Sequence, residues 1–134
     1  MAEANGRKEG SSMAIVRHAA DAERKEVSAG TATHVQVLMG PADGAPNFAM
    51  RRFIMGTGGG MPVHTNTVEH EQYVLKGSAE VGIGERTYRV AQGDVLYVPA
   101  GVPHFYRVIE APFEFLCMVP NAEDKITILA SAGC

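Results

Sequence analysis

The feature that most constrains the fold of this chain is its division into short runs of β-branched and aromatic residues. Glycine and proline separate these runs at intervals of roughly ten residues, which is typical of an all-β sandwich or barrel. Glycine tolerates a positive φ and proline presets φ, so each separator predicts a turn. Eight strands are predicted, over residues 34–39, 48–55, 71–75, 78–83, 86–90, 95–98, 104–109 and 113–119.

Three segments fall outside this regular pattern. The glycine-rich residues 56–62 predict a turn. Residues 14–33 contain a charged cluster and predict either a short helix or an irregular strand and loop that leads into the barrel. Residues 124–130 alternate too poorly to be assigned, because a helix or a strand needs a regular apolar period.

Length and composition predict a single domain. The chain has 134 residues, of which 46% are hydrophobic and 20% charged, as is typical of one globular domain and not of a disordered chain. Residues 1–12 are polar and lack any period, so we expect a disordered tail or an expression remnant there. The single β-barrel domain is then predicted over residues 13–134.

Charge and hydropathy argue against nucleic acid and membrane partners. Twelve basic and 15 acidic residues give a formal charge of −3, which leaves no surplus of positive charge for a phosphate backbone. No apolar run approaches the ~20 residues that cross a bilayer, and the first residues lack the hydrophobic segment of a secretory signal. The chain has two cysteines, at positions 117 and 134, and this number and placement do not indicate a disulfide framework. We therefore expect a cytoplasmic protein.

The histidines and their spacing indicate a metal site. His64 and Asn66 are two apart and so leave the same face of a strand, and His70 keeps that parity. His104 follows a rigid turn rich in proline and glycine. Imidazole binds Zn, Cu, Ni and Fe well, and three neutral imidazoles leave positions open for water or a substrate. A single histidine at a strand start is usually an ordinary partnered residue, but this set favours a reactive metal site.

Two motifs around these histidines resemble those of the cupin superfamily. The patterns are Gly-x5-His-x-His-x3-Glu-x6-Gly and Gly-x5-Pro-x-Gly-x2-His-x3-Asn, and the resemblance spans about residues 34–119. It implies a small double-stranded β-helix, or jelly-roll, barrel that is commonly dimeric and holds one divalent transition metal, Fe, Mn, Ni, Cu or Zn. The first pattern falls on Gly58, His64, Asn66, His70 and Gly77, and the second on Gly93, Pro99, Gly101 and His104.

The match departs from the family pattern at three positions. Asn66 replaces the second histidine, His70 replaces the glutamate, and Val108 replaces the final asparagine. Some small monocupins that resemble this chain use histidine at the glutamate position and bind the metal with four imidazoles. The resemblance therefore implies His64, Asn66, His70 and His104 as metal ligands. An amide oxygen is a weak ligand for these metals, so Asn66 either binds directly, acts through water or hydrogen-bonds a metal-bound species.

The sequence also allows a second register of the first motif. A gap of four residues would put Glu71 in the glutamate position and give a set of two histidines and one carboxylate, His64, His104 and Glu71, which is typical of Fe(II) oxygenases. The six-residue spacer to Gly77 fits His70 and is one short from Glu71. We favour His70.

Arg51 and Tyr106 are the candidate catalytic residues. Neighbours on a strand face opposite sides, so one of the adjacent arginines 51 and 52 should face the cavity and clamp a carboxylate. In similar monocupins an arginine thirteen residues before the first histidine lines the pocket, which selects Arg51, and a surface salt bridge is the alternative. Tyr106 has the parity of His104. Cys117 is read either as a small buried hydrophobe or as a thiol that lines the cavity.

The sequence supports three hypotheses about function. The first is a metal-dependent enzyme, with oxygenase chemistry favoured, that acts on a small molecule such as a carboxylate. The second is a module that binds or senses such a ligand without turnover, and the third is a metal-free structural cupin. We also expect a homodimer, since so small a barrel exposes apolar surface and dimers are the commonest closed assembly.

Overall fold

The structure, a computed structural model, describes residues 13–130. Within this part of the chain the helical structure consists of two short 3-10 helices, Ala19–Asp21 and Pro41–Asp43. The prediction of an all-β chain is thus confirmed, while the predicted tail at residues 1–12 lies outside the described residues. The strands are β1 (Lys25–Glu26), β2 (Thr31–Met39), β3 (Phe48–Asn66), β4 (His70–Ile83), β5 (Arg86–Ala91), β6 (Val95–Val98), β7 (His104–Pro120) and β8 (Ile126–Ala130).

The strands form one antiparallel sheet that folds over on itself. Its order is β1-β2-β3-β7-β4-β5, with β6 paired to β4 and β8 paired to β3. The first half of β4 pairs with β6 and its second half with β5, and β3 changes in the same way from β2 to β8. Because the long strands run through both halves, the sheet closes into the predicted jelly-roll barrel.

Irregularities inside the long strands make two predicted breaks wrong. The strands predicted at 71–75 and 78–83 are one strand, β4, and those predicted at 104–109 and 113–119 are one strand, β7. The register of β4 against β7 shifts on both sides of Lys76, and Gly77 has a φ of 76°. A bulge interrupts the pairing locally without ending the strand. Glycine therefore marks a bulge here and not a turn.

The bulge in β4 also reverses which positions face inward. His70, Gln72 and Val74 are buried before it, whereas Ala79 and Val81 are buried after it. One extra residue shifts the alternation by one, so even positions face the core first and odd positions later. The barrel interior therefore stays continuous along the strand.

The three irregular segments all contain strand residues, and one of them also contains a short 3-10 helix. The turn predicted at residues 56–62 lies inside β3, with a register shift between Met55 and Gly60. The segment over residues 14–33 forms one 3-10 helix, β1 and the start of β2, and residues 126–130 form β8. Among the described residues, no helix has the length and apolar character needed to pass through a membrane.

The apolar core fills the barrel beside the histidines. Phe115 stacks on Phe53 at 5.1 Å between ring centroids and on Tyr106 at 5.2 Å. Met55 and Phe113 are buried in the same cluster. This packed layer forms one wall of an internal cavity.

Candidate metal site

A cavity of about 380 Å³ lies inside the barrel, and all six side chains predicted from the sequence line it. Apolar side chains of β3 and β7 also line it, as do residues of β1 and β8. The predicted residues are Arg51, His64, Asn66, His70, His104 and Tyr106.

His64 and His104 face each other across two paired strands. They are register partners on β3 and β7, with ring centroids 4.1 Å apart. The Nδ1 of His64 lies 2.7 Å from the Pro62 carbonyl oxygen, and the Nδ1 of His104 lies 2.9 Å from that of Val102. A carbonyl only accepts, so each Nδ1 carries the proton and donates. The Nε2 of each ring therefore keeps its lone pair.

His70 is the third ring of the cluster. Its centroid lies 5.8 Å from that of His104. The Nδ1 of His70 contacts the Cys117 Sγ at 3.1 Å and the Arg51 Nη2 at 3.3 Å. Its Nε2 is buried and has no hydrogen-bond partner. That buried nitrogen is available to a ligand or an ion.

Burial keeps the three imidazoles uncharged. Loss of solvation lowers the pKa of His64, lowers that of His70 to about 3 and lowers that of His104 to about 4. The positive charge on Arg51 adds to the lowering of the pKa of His70, as does the repulsion that a charged His70 would feel if His104 or His64 were also protonated. At neutral pH the three rings are therefore in the neutral form that coordinates a metal.

Asp124 fixes the amide of Asn66. The Asn66 Nδ2 donates to the Asp124 Oδ2 at 2.9 Å, and the other carboxylate oxygen accepts from the Thr67 backbone N–H at 3.1 Å. A carboxylate only accepts, so the amide nitrogen must face Asp124. The Asn66 Oδ1 then points elsewhere, buried and without a partner. Sequence reasoning missed Asp124, which lies 58 positions from Asn66 and outside both motifs.

These donors fit a divalent transition metal in chemistry, although they are not gathered around one point. Over residues 13–130, no three His, Cys, Asp or Glu side chains form a ready arrangement for a metal ion. The Nε2 of His70 and the Oδ1 of Asn66 are, however, buried polar atoms with no partner. Buried polar atoms are rarely left unsatisfied, so each of these two atoms is available to a cation. Three neutral imidazoles and one amide oxygen suit Zn, Ni, Fe or Cu.

The structure places Glu71 away from this cluster. Its side chain is exposed on the outer face of β4, where its hydrogen bond and repulsion with Glu69, together with slight burial, raise the pKa of Glu71. The alternative ligand set that includes Glu71 is therefore not supported, since alternation along β4 sends His70 inward and Glu71 outward.

The adjacent arginines lie on opposite faces, as expected from alternation. Arg52 forms an ion pair with Glu114 at 2.6 Å and donates to the Gln36 Oε1 at 3.0 Å. Arg51 lines the cavity with its guanidinium carbon 5.0 Å from the centroid of the Phe53 ring. Its Nε is buried and has no partner. Arg51 thus has donor capacity left on the cavity side.

Tyr106 is held as a neutral phenol. Its hydroxyl oxygen accepts from the Gln72 Nε2 at 2.7 Å, and its ring meets that of His104 edge-on at 6.0 Å. Burial raises the pKa of Tyr106. Because the oxygen accepts from Gln72, the phenol proton is free to be donated.

Comparisons with known proteins agree with this architecture. The model of the cupin 2 family, described as a cupin domain, matches residues 51–119. None of the curated proteins matches the chain.

Several solved structures have the same fold. The polyketide cyclase RemF from Streptomyces resistomycificus is 26% identical, with a TM-score of 0.81 over 90% of this chain and 89% of that chain. A cupin 2 domain-containing protein from Halorhodospira halophila is 29% identical, with a TM-score of 0.68 over 72% and 70%. The DMSP lyase DddQ from Ruegeria pomeroyi DSS-3, at 22% identity, shares the fold with a TM-score of 0.71 over 86% and 64%.

Proposed function

This chain belongs to the cupin 2 family, and on that premise we propose that it is a metal-dependent enzyme acting on a small enolisable carbonyl compound. The observation that carries the proposal is the cluster of three buried neutral imidazoles. Within it the Nε2 of His70 has no hydrogen-bond partner, and the Oδ1 of Asn66 has none either. In this proposal His64, Asn66, His70 and His104 would hold one divalent metal, and the chemistry that such a metal would supply is Lewis-acid polarisation of a substrate carbonyl.

Cyclase chemistry is the reaction class that we favour over the oxygenase chemistry favoured from sequence. RemF is a polyketide cyclase and is similar over nine-tenths of both chains. The reaction would be an intramolecular aldol addition, in which an enol carbon bonds to a carbonyl carbon. The proton of the enol hydroxyl is released, and the former carbonyl oxygen takes up a proton. No oxidant is consumed.

The walls of the cavity suit a planar, largely apolar substrate. Phe53, Phe115, Met55 and Met61 line it. Its volume of about 380 Å³ lies within the usual range for small-molecule sites, roughly 300–1,000 Å³. Apolar walls exclude water from the reacting atoms and strengthen the electrostatic interactions made there.

Two polar side chains have distinct roles in this proposal. Arg51 orients a carboxylate or enolate oxygen of the substrate, because its guanidinium faces the cavity and its Nε is unpaired. The Tyr106 phenol donates a hydrogen bond to the oxygen that gains the proton, since its own oxygen already accepts from Gln72. A neutral phenol is the form that can donate.

The mass of the product tests this proposal. We would reconstitute the protein with Zn²⁺, Ni²⁺ or Fe²⁺ and incubate each sample with linear 1,5-diketones and poly-β-keto thioesters, using His104→Ala as the control. Cyclisation gives a product of the substrate's mass or that mass less one water. A gain of oxygen atoms with O₂ uptake would assign the oxygenase reaction instead. Saturable binding without any product would overturn the enzyme and favour the binding or sensing module.

A further inference from the structure

We infer that the sulfur of Cys117 sets the tautomer of His70, which makes Cys117 a positioning residue for the candidate metal site. The consequence for metal binding depends on the proposed function, whereas the tautomer itself does not. The sequence left Cys117 as a buried hydrophobe or a cavity thiol. In the structure it is fully buried and is absent from the cavity wall, yet its Sγ contacts a side chain that lines it.

His70 lacks the backbone acceptor that the other two rings use. His64 and His104 each donate from Nδ1 to the carbonyl oxygen two residues earlier in the chain. The Nδ1 of His70 instead lies 3.1 Å from the Cys117 Sγ. A second partner for the far ring nitrogen is the usual means by which proteins fix the tautomer of a ligating histidine.

The surroundings of the sulfur make it an acceptor. Cys117 on β7 is the register partner of Arg51 on β3 and of Gln72 on β4. The Arg51 Nη2 lies 3.2 Å from Sγ and the Gln72 Nε2 lies 3.5 Å from it. A guanidinium can only donate, and the amide nitrogen also donates. The Nδ1–H of His70 completes a set of three donors around one sulfur.

The competing arrangement has the His70 proton on Nε2, and it leaves that buried N–H without an acceptor. Arg51 Nη2 also lies 3.3 Å from the His70 Nδ1. If Nδ1 accepted from Arg51 or from the Cys117 S–H, the ring proton would sit on Nε2, which is buried and has no hydrogen-bond partner. With Nδ1 donating to sulfur, Nε2 instead presents a lone pair, and the Arg51 Nη2 gives up Nδ1 as an acceptor but retains the sulfur. That lone pair is the one a metal needs.

The tautomer can be read directly by NMR in metal-free protein. Long-range ¹H–¹⁵N spectra of the ¹⁵N-histidine-labelled chain should show His70 protonated at Nδ1, as His64 and His104 are. Cys117→Ala removes the acceptor and should move the His70 proton to Nε2, where Arg51 then donates to Nδ1. The rings of His64 and His104 should not change, which makes them internal controls. Cys117→Ser retains an acceptor and should keep the original tautomer.

The second readout is metal affinity by calorimetry with Zn²⁺. Cys117→Ala should bind at least ~10-fold more weakly and Cys117→Ser should recover part of that loss. Cys117→Val, which keeps the volume, guards against a packing defect and should behave like Cys117→Ala. A His70 protonated at Nε2 in the wild-type protein, or unchanged by Cys117→Ala and Cys117→Val, would overturn the inference. If the tautomers behave as expected and the wild-type protein binds no metal, the proposed function fails while the positioning by Cys117 stands.

Discussion

Asn66 and His70 each take their orientation from a partner far away in the sequence, 58 and 47 positions respectively. Asp124 turns the amide so that its oxygen is the unpaired atom, and Cys117 faces the Nδ1 of His70. The histidines could be predicted from alternation and from the family motifs. Their two partners could not, because only the folded barrel brings those positions together.

Among the candidate ligands, the histidines should contribute more to metal affinity than Asn66 does. Imidazole is the stronger donor for a borderline metal, so His64→Ala and His70→Ala should each lower Zn²⁺ affinity at least ~10-fold. Asn66→Ala should have a smaller effect in the same titration. Equal losses in all three variants would show that Asn66 is a full ligand.

Removing Asp124 should weaken metal binding in two ways, by freeing the Asn66 amide to rotate and by removing a negative charge that acts on His64 and His104. Asp124→Ala loses both effects, so its cost in Zn²⁺ affinity should exceed that of Asp124→Asn, which loses only the charge. Asp124→Asn is the matched control, because its amide oxygen still accepts from the Asn66 Nδ2. Calorimetry on both single variants and on the Asn66→Ala, Asp124→Ala double variant tests the coupling. Additive losses in the double variant would contradict it.

At the scale of strands, the positions of the turns were harder to predict than the strands themselves. Glycines in residues 56–60 and at 77 resemble turn residues, yet they lie within β3 and β4. Glycine supplies the same backbone freedom to a turn and to a bulge, so local sequence does not separate the two. Whether the glycine forms a turn or a bulge depends on whether the strand pairs with β7 again beyond it. That pairing involves residues far away in the sequence.

Gly77 should therefore tolerate a side chain poorly. Its φ is 76°, and an added Cβ would lie 2.2 Å from the Pro112 carbonyl oxygen, a backbone atom. Gly58 is the matched control, with a φ of 72° and nothing within 4 Å of an added Cβ. The left-handed conformation alone costs a non-glycine residue about 1–2 kcal/mol, so Gly58→Ala should lose about that much.

Urea denaturation measures both variants. Gly77→Ala should lose the conformational cost plus that of the clash, and so unfold at clearly lower urea than Gly58→Ala. Equal midpoints would show that the backbone near Pro112 yields freely and that the bulge does not constrain the strand.

For the molecule as a whole, the barrel and its family could be predicted because two separated motifs and the strand spacing indicate the same fold. Its state of assembly could not be derived in the same way, and the homodimer stays a prediction. Tyr73, Val95 and Tyr97 are exposed on the paired strands β4 and β6, with Tyr97 at 57%. Apolar side chains grouped on one face favour association.

Light scattering after size exclusion tests the assembly. The expected mass is twice the 14.3 kDa of the chain, and the double variant Val95→Lys, Tyr97→Lys should shift the protein toward monomer if this face forms the contact. A wild-type mass of one chain across the accessible concentration range would rule out the dimer.

The central claim is that His64, His70, His104 and Asn66 hold one divalent cation inside the barrel. The most direct test is elemental analysis of folded protein that has been loaded with Zn²⁺, Ni²⁺ or Fe²⁺ and then dialysed. The account predicts about one equivalent of metal per chain in the wild type and under ~0.1 in His104→Ala, since losing one ligand opens the site. Under ~0.1 equivalent in the wild type with all three metals, or the same content in both proteins, would contradict it.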